Sequence, residues 1–344
     1  MNDFEKLLIS YRKKSFLVVE PGGFYGDNLI YLGLYKKLKA LRIGFEVLRY
    51  EEKWRSRIFA KLYWTLWIGL TRRLSNLSEA LRNKFEILTQ RVYNWLIIAK
   101  QISTSKIPKS TSIVLIQAGG SFNDLWGVGI RIMKNAIESS PNSVIIVAPE
   151  SYWFRGISFA ETLSTARQGE IYLFCREKYS YRMLKAMDLR RRIHIGLADD
   201  TSFFLSREDF HPEEGRQTLI CFREDRESIL PIKTRSFIQS LKKTGKANKT
   251  LVLDIGVQAP NFQSYVETIE KAGTVFTDRL HVAILSTILG KNTFLYPNRY
   301  HKSKGVYQQT LHKFPNTGLV EDPNQLEELI LKEIHDCSVS HDTA

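Results

Sequence analysis

The sequence predicts an α/β protein of two doubly wound domains with a cleft between them, and three features carry that expectation. Short, continuously apolar runs recur along the chain, the pattern of parallel strands covered on both faces. Several are followed at once by a glycine-bearing turn and helical spacing, which is how a βα unit opens. The length, 344 residues, exceeds what one ordinary core serves and suits two domains.

The elements follow in order. Phe16-Leu17-Val18-Val19 is the first strand, bounded by Pro21-Gly22-Gly23. A helix from about Asp27 to Ala40 follows, with Leu29, Leu32, Leu34 and Leu38 near one face. Further strands are expected at Phe45–Leu48, Ile113–Ile116, Val144–Val147, Ile171–Cys175 and, more briefly, Ile193–Ala198. The polar stretch Ser206–Thr218, carrying His211-Pro212-Glu213-Glu214-Gly215, reads as the start of a linker. Strands resume at Leu219–Phe222, Leu251–Asp254, Thr274–Thr277 and Asn292–Leu295, with helical patterns between them. The expected division is a first domain over 1–205, a second over 206–335 and a tail over 336–344.

Residues 54–107 break this alternation. They are rich in Trp, Tyr, Leu and Arg, and Glu79 and Glu86 are the only acids. One or two long helices packed on the sheet are expected, and the sharper alternative is a basic amphipathic surface touching anionic lipid. Ile58–Leu70 holds Lys61, so this stretch falls short of the roughly 18 to 20 apolar residues that cross a bilayer.

A formal net charge of +14 favours acidic partners: nucleic acid, anionic lipid, or small molecules bearing phosphate or carboxylate. No nucleic-acid module is written in the chain, so no nucleic-acid partner is expected. Cys175, Cys221 and Cys337 are odd in number and widely spaced, which argues for a reducing compartment. Cys175 and Cys221 lie in apolar runs and read as buried thiols. Met1–Ser10 lacks the apolar core of a signal peptide. A cytoplasmic protein is therefore expected, in reach of the inner membrane face. No clustered His, Cys or carboxylate motif calls for a metal.

Candidate chemistry gathers just past the strand ends. Gly22-Gly23-Phe24-Tyr25-Gly26-Asp27-Asn28 joins a strand to a helix, where glycines let a ligand approach the helix N-terminus. A plain turn with Asp27 as N-cap reads equally well. Ala118-Gly119-Gly120-Ser121-Phe122-Asn123-Asp124-Leu125-Trp126 follows a second strand. Asp124 there either hangs into the crevice, able to orient or deprotonate a hydroxyl, or caps a helix starting at Leu125. Arg176, with Glu177 and Ser180 after it, and Arg223, with Glu224 and Asp225, put a guanidinium at a strand edge, suited to forked binding of carboxylate or phosphate. Taken singly, a solvated or ion-paired surface role is the plainer reading for both. Thr277-Asp278-Arg279-Leu280-His281 sets Arg279 and His281 in the first turn of an apolar helix, whose positive end also favours anions. Tyr300-His301-Lys302-Ser303-Lys304-Gly305 adds basic donors on a later loop.

In this order and spacing these segments resemble the polysaccharide pyruvyl transferase family. The match runs through Gly26-Asp27, Gly119-Gly120 with Asp124-Leu125-Trp126, Arg176-Glu177 with Ser180, Arg279-Leu280-His281, and the Lys302 and Lys304 loop. It covers about residues 16 to 310, and the Asp-Leu-Trp loop and the Arg-Leu-His site are its specific pieces. Ala118 stands where the family often begins a glycine triplet, and Phe24 where an asparagine is common.

The resemblance implies a GT-B-like pair of Rossmann-like domains, phosphoenolpyruvate as donor substrate without a further cofactor, and a pyruvate ketal on a sugar or lipid-linked oligosaccharide as product. It implies His281 as general acid, Arg279 and Arg223 on the donor's anionic groups, Asp124 toward the acceptor, and Lys302 or Lys304 on phosphate. Gly119, Gly120, Asp27 and Arg176 would complete the substrate contacts. Two other readings share the fold: a glycosyltransferase using a nucleotide sugar, and a non-catalytic scaffold that docks on a membrane through the basic insert.

Overall fold

The protein, seen in a computed structural model, is described over residues 1–49, 107–117, 119–154, 159–215, 217–225, 227–244 and 249–339. The helical insert expected over 54–107, with its lipid-facing alternative, lies outside the described residues apart from Ile107, and so does Ala118.

The first half builds six strands: β1 (Phe16–Glu20), β2 (Phe45–Arg49), β3 (Ile113–Ile116), β4 (Val144–Glu150), β5 (Ile171–Cys175) and β6 (Ile193–Leu197). All pair in parallel, in the order β2-β1-β3-β4-β5-β6. Its helices are α1 (Asp3–Ser10), α2 (Tyr25–Ala40), α3 (Val128–Ser139), α4 (Phe159–Ser164) and α5 (Lys178–Lys185). The second half builds β7 (Gln217–Cys221), β8 (Thr250–Val252), β9 (Ala272–Thr277), β10 (Asn292–Leu295) and β11 (Thr317–Leu319). These are also parallel, in the order β11-β10-β9-β7-β8. The helices there are α6 (Ile232–Thr244), α7 (Ile255–Gln258), α8 (Phe262–Glu270), α9 (Leu280–Ile288), α10 (Lys302–Gln309) and α11 (Pro323–Val339).

Burial separates the strands as their positions require. Every residue of the central strands β1 and β3 is buried. The edge strand β2 exposes Glu46 and Val47, and β6, at the other edge, exposes His194. Coverage on both faces therefore holds for the sheet centre only. The three-residue β11, Thr317-Gly318-Leu319, is too short and too polar to stand out as an apolar run. Cys175 and Cys221 are buried free thiols, and burial pushes the Cys221 thiol up to about 12.

Both sheets reverse their winding direction at a point that positions the site. In the first, β2 lies on one side of β1 and β3 on the other; in the second, β8 and β9 flank β7. Chains leaving adjacent strands in opposite directions open a crevice at the strand C-termini. The turn at residues 22–24 follows β1 and the loop at residues 119–127 follows β3. Arg223 follows β7 and Asp278-Arg279 follow β9.

Helix α2 joins the halves. Ile30, Tyr31, Leu34 and Leu38 pack into the first core beside Phe16 and Leu115. Leu29 packs instead into the second core with Leu219, Val275 and Val282. Tyr25 donates its hydroxyl hydrogen bond to the Pro260 carbonyl at 3.0 Å. No helix among the described residues is long and apolar enough to cross a membrane.

Candidate active site

His281 sits in the first turn of α9, with Arg279 at the N-cap position. Its Nδ1 lies 3.7 Å from Asp27 Oδ1 on α2, and its Nε2 lies 3.6 Å from Asp200 Oδ2. Both distances are just beyond hydrogen-bond length, so the ring stands between two carboxylates without being locked to either. Gly26 makes this approach possible: a Cβ there would meet His281 Cβ at 2.9 Å.

The two carboxylates differ. Asp27 accepts the Phe24 amide at 2.9 Å, so it is the third residue of α2 reaching back to the helix start rather than the N-cap itself. Burial pushes its carboxyl up to about 6, against the opposing pull of His281. Asp200 is fully buried and accepts hydrogen bonds from Arg176 Nη1 at 2.7 Å, the Ser202 amide at 2.9 Å and Ser202 Oγ at 2.6 Å. Burial alone would raise it, but His281 and Arg176 outweigh burial and hold this carboxyl well below the usual range.

Arg176 is also completely buried, which corrects the surface role read for it singly. Its Nε donates to Ser151 Oγ at 2.9 Å, and its Nη2 lies 3.7 Å from Glu150 Oε1. Glu150 in turn fills the glycine loop after β3: it accepts the amides of Gly119 at 3.1 Å and Gly120 at 2.9 Å, with that of Ser151 at 2.7 Å. Gly120 has a φ of 70°, a left-handed conformation that glycine adopts without strain. The loop amides therefore hold an internal carboxylate.

A second buried network lies past β7 and β9. Arg279 forks onto Asp254, with Nη2 donating to Oδ2 at 2.5 Å and Nε donating to Oδ1. Its guanidinium lies 5.3 Å from the centre of the Phe24 ring. Arg223, likewise buried and not at the surface, pairs with Asp225 at 3.0 Å and with Glu227. Its amide donates to Asp278 Oδ1 at 2.8 Å. Lys302 opens α10, is buried, and pairs with Glu227. Lys304 points elsewhere: it is exposed and pairs with Glu321 at 2.7 Å. Burial pushes the Asp278 carboxyl up to about 7, against the pull of Arg223.

The structure thus brings together Asp27, Arg176, Arg223, Arg279, His281 and Lys302, and leaves Lys304 outside. Asp124 is half-buried on the loop after β3, and its amide donates to the Trp153 carbonyl at 3.1 Å. No helix starts at Leu125; α3 begins at Val128 behind Gly127. Asn123 ties the turn instead, accepting the amides of Leu125 and Trp126 at 2.9 Å each. Sequence reasoning missed Glu150, Asp200, Glu227 and Asp254 as partners. Glu150 ends β4, and the other three lie a few residues past β6, β7 and β8. That placement was the one local signal available.

A family model described as polysaccharide pyruvyl transferase matches residues 25–300. The Bacillus subtilis (strain 168) protein EpsO, provisionally named a pyruvyl transferase, is 23% identical over 243 residues, 63% of this chain and 75% of its own length. A crystal structure of a functionally uncharacterised Klebsiella pneumoniae protein superposes with a TM-score of 0.59 at 19% identity, covering 93% of this chain and 97% of that one. The Escherichia coli heptosyltransferase WaaC with ADP gives a TM-score of 0.43 at 10% identity, over 92% of this chain and 99% of that one.

Proposed function

Because the chain belongs to the polysaccharide pyruvyl transferase family, and is therefore a transferase, we propose that it moves the pyruvyl group of phosphoenolpyruvate onto two hydroxyls of a sugar. The sugar belongs to a cell-surface polysaccharide or its lipid-linked precursor, and the product is a pyruvate ketal. The observation that supports this most is His281, held between Asp27 and Asp200 with three buried cations, Arg223, Arg279 and Lys302, on neighbouring segments.

The chemistry needs an acid and fixed positive charge. His281 delivers a proton to the methylene carbon of the enol ester, and positive charge develops at the phosphate-bearing carbon. A sugar hydroxyl adds there, with Asp124 orienting it. The bond from that carbon to the phosphate oxygen breaks, and a neighbouring hydroxyl closes the ketal. Of the two hydroxyl protons, one replaces the proton given by His281 and the other leaves on phosphate. Arg223 and Lys302 hold the donor's anionic groups, and Arg279 adds its charge from the place Asp254 fixes. Such groups act most strongly where water is excluded.

The test is His281→Gln, assayed for phosphate release from phosphoenolpyruvate with a panel of oligosaccharide and glycolipid acceptors. Loss of the acid should slow turnover by about 10²- to 10⁴-fold while phosphoenolpyruvate still binds. The parent's product should show one new ketal methyl resonance per phosphate released. Undiminished turnover in the variant would remove His281 from its role.

A further inference from the structure

Glu227 is the point on which two buried basic side chains, Arg223 and Lys302, converge. Its carboxylate accepts from Arg223 Nη1, from Lys302 Nζ, from Trp126 Nε1 at 2.6 Å and from Asn298 Nδ2 at 3.3 Å. Two charged and two neutral donors, drawn from the loop after β3, the loop after β7, the loop after β10 and the start of α10, surround one carboxylate that is 2% exposed. Despite burial, Arg223 and Lys302 hold the Glu227 carboxyl well below its usual range. This is the donor set of an anion site: a guanidinium, an ammonium, an indole N–H and an amide.

Charge makes the arrangement informative. Phosphoenolpyruvate carries a carboxylate and a phosphate, and neither can share these donors with a buried carboxylate without like-charge repulsion. Arg223 keeps Asp225 as a second partner, whereas Glu227 is the carboxylate that Lys302 contacts. Glu227 lies on the irregular segment between β7 and α6, so its side chain can leave by rotation without unwinding a helix or strand. The Phe24 ring packs edge-on against Trp126 at 6.1 Å between centres, and the Trp126 N–H is directed at Glu227. Displacing this carboxylate would therefore loosen a contact between the two domains.

We infer that Glu227 is an internal stand-in for the substrate's anionic group, occupying the site formed by Arg223, Lys302, Trp126 and Asn298 until an incoming phosphate or carboxylate displaces it. The inference rests on the reading of phosphoenolpyruvate as donor for the identity of that anion, but not for the existence of the site. It makes Glu227 a gate that couples donor entry to the interdomain contact.

The experiment compares the parent with Glu227→Gln by calorimetric titration of phosphoenolpyruvate and, separately, inorganic phosphate. Thermal melts with and without phosphate accompany it. Gln keeps the size and an acceptor oxygen but removes the competing charge, so both ligands should bind at least about tenfold more tightly. Phosphate should also raise the melting temperature of the variant more than that of the parent. Unchanged or weaker phosphate binding in a folded variant overturns the inference. So does a variant that folds neither with nor without phosphate, since Glu227 would then be a fixed part of the framework. Tighter phosphate binding with no phosphoenolpyruvate binding in either protein upholds the gate and sinks the donor assignment. Equal phosphoenolpyruvate and phosphate affinity in both proteins does the reverse.

Discussion

Asp278 shows how much buried charge this site carries. Its carboxylate is fully buried, one oxygen accepts the Arg223 amide, and burial lifts its titration to about 7. A carboxyl whose folded value is raised favours the folded state when protonated and opposes it when ionised. Its cost to stability therefore grows as pH rises from about 4, the ordinary aspartate value, to about 7, and then levels off. Asp278→Asn keeps the acceptor oxygen and removes this cost. The variant should exceed the parent in stability by about 2 to 4 kcal/mol at pH 8, and by less at pH 5, in urea melts at both values. A difference that stays constant across pH would contradict the burial of an ionisable Asp278. At this scale the sequence was half legible. Arg176, Arg223, Arg279 and His281 stood out because each follows a strand. Their carboxylates did not, because a pair such as Arg176–Asp200 or Lys302–Glu227 is separated by 24 or 75 residues and forms only once the sheets are assembled.

Helix α2 is the element on which the two halves depend, and its glycines mark where it is approached. Gly33 lies in the helix interior, where alanine would ordinarily gain up to about 1 kcal/mol. Here a Cβ would drive into the carbonyl oxygen of Thr201 on the segment leading from β6. Thr201 also donates its hydroxyl to the Ile30 carbonyl at 3.1 Å, so the segment cannot withdraw freely. Gly33→Ala should therefore destabilise by about 1 to 3 kcal/mol in denaturant melts; a stabilised variant would show that the helix and the Thr201 segment are not in contact. The helix itself was legible from Leu29, Leu32, Leu34 and Leu38, of which Leu32 is exposed and the other three are buried; the strands were legible from Ile113–Ile116, Ile171–Cys175 and Asn292–Leu295. What periodicity could not show is that Leu29 serves the second core while Leu34 and Leu38 serve the first. An apolar stripe marks burial, not the partner it is buried against.

Across the whole molecule, two parallel sheets direct the open ends of their reversal points at one another, so that the segments after β1 and β6 meet at His281 and those after β3 and β7 meet at Glu227. Alternating strands and helices in the sequence predicted the sheets, and the glycine turns predicted where each opens. The meeting of the two openings could not be read locally, since it rests on α2 packing into both cores. A fold of this kind serves several chemistries, and the side chains at its crevice decide among them. The measurement that bears most directly on donor identity is calorimetric titration of the parent protein with phosphoenolpyruvate and with a panel of nucleotide sugars. Lys302→Met is titrated alongside. Saturable phosphoenolpyruvate binding, weakened by about 2 kcal/mol or more in the variant, and no response to nucleotide sugars is the predicted result. Saturable binding of a nucleotide sugar with none of phosphoenolpyruvate would contradict pyruvyl transfer from this donor and leave His281 without the role given to it.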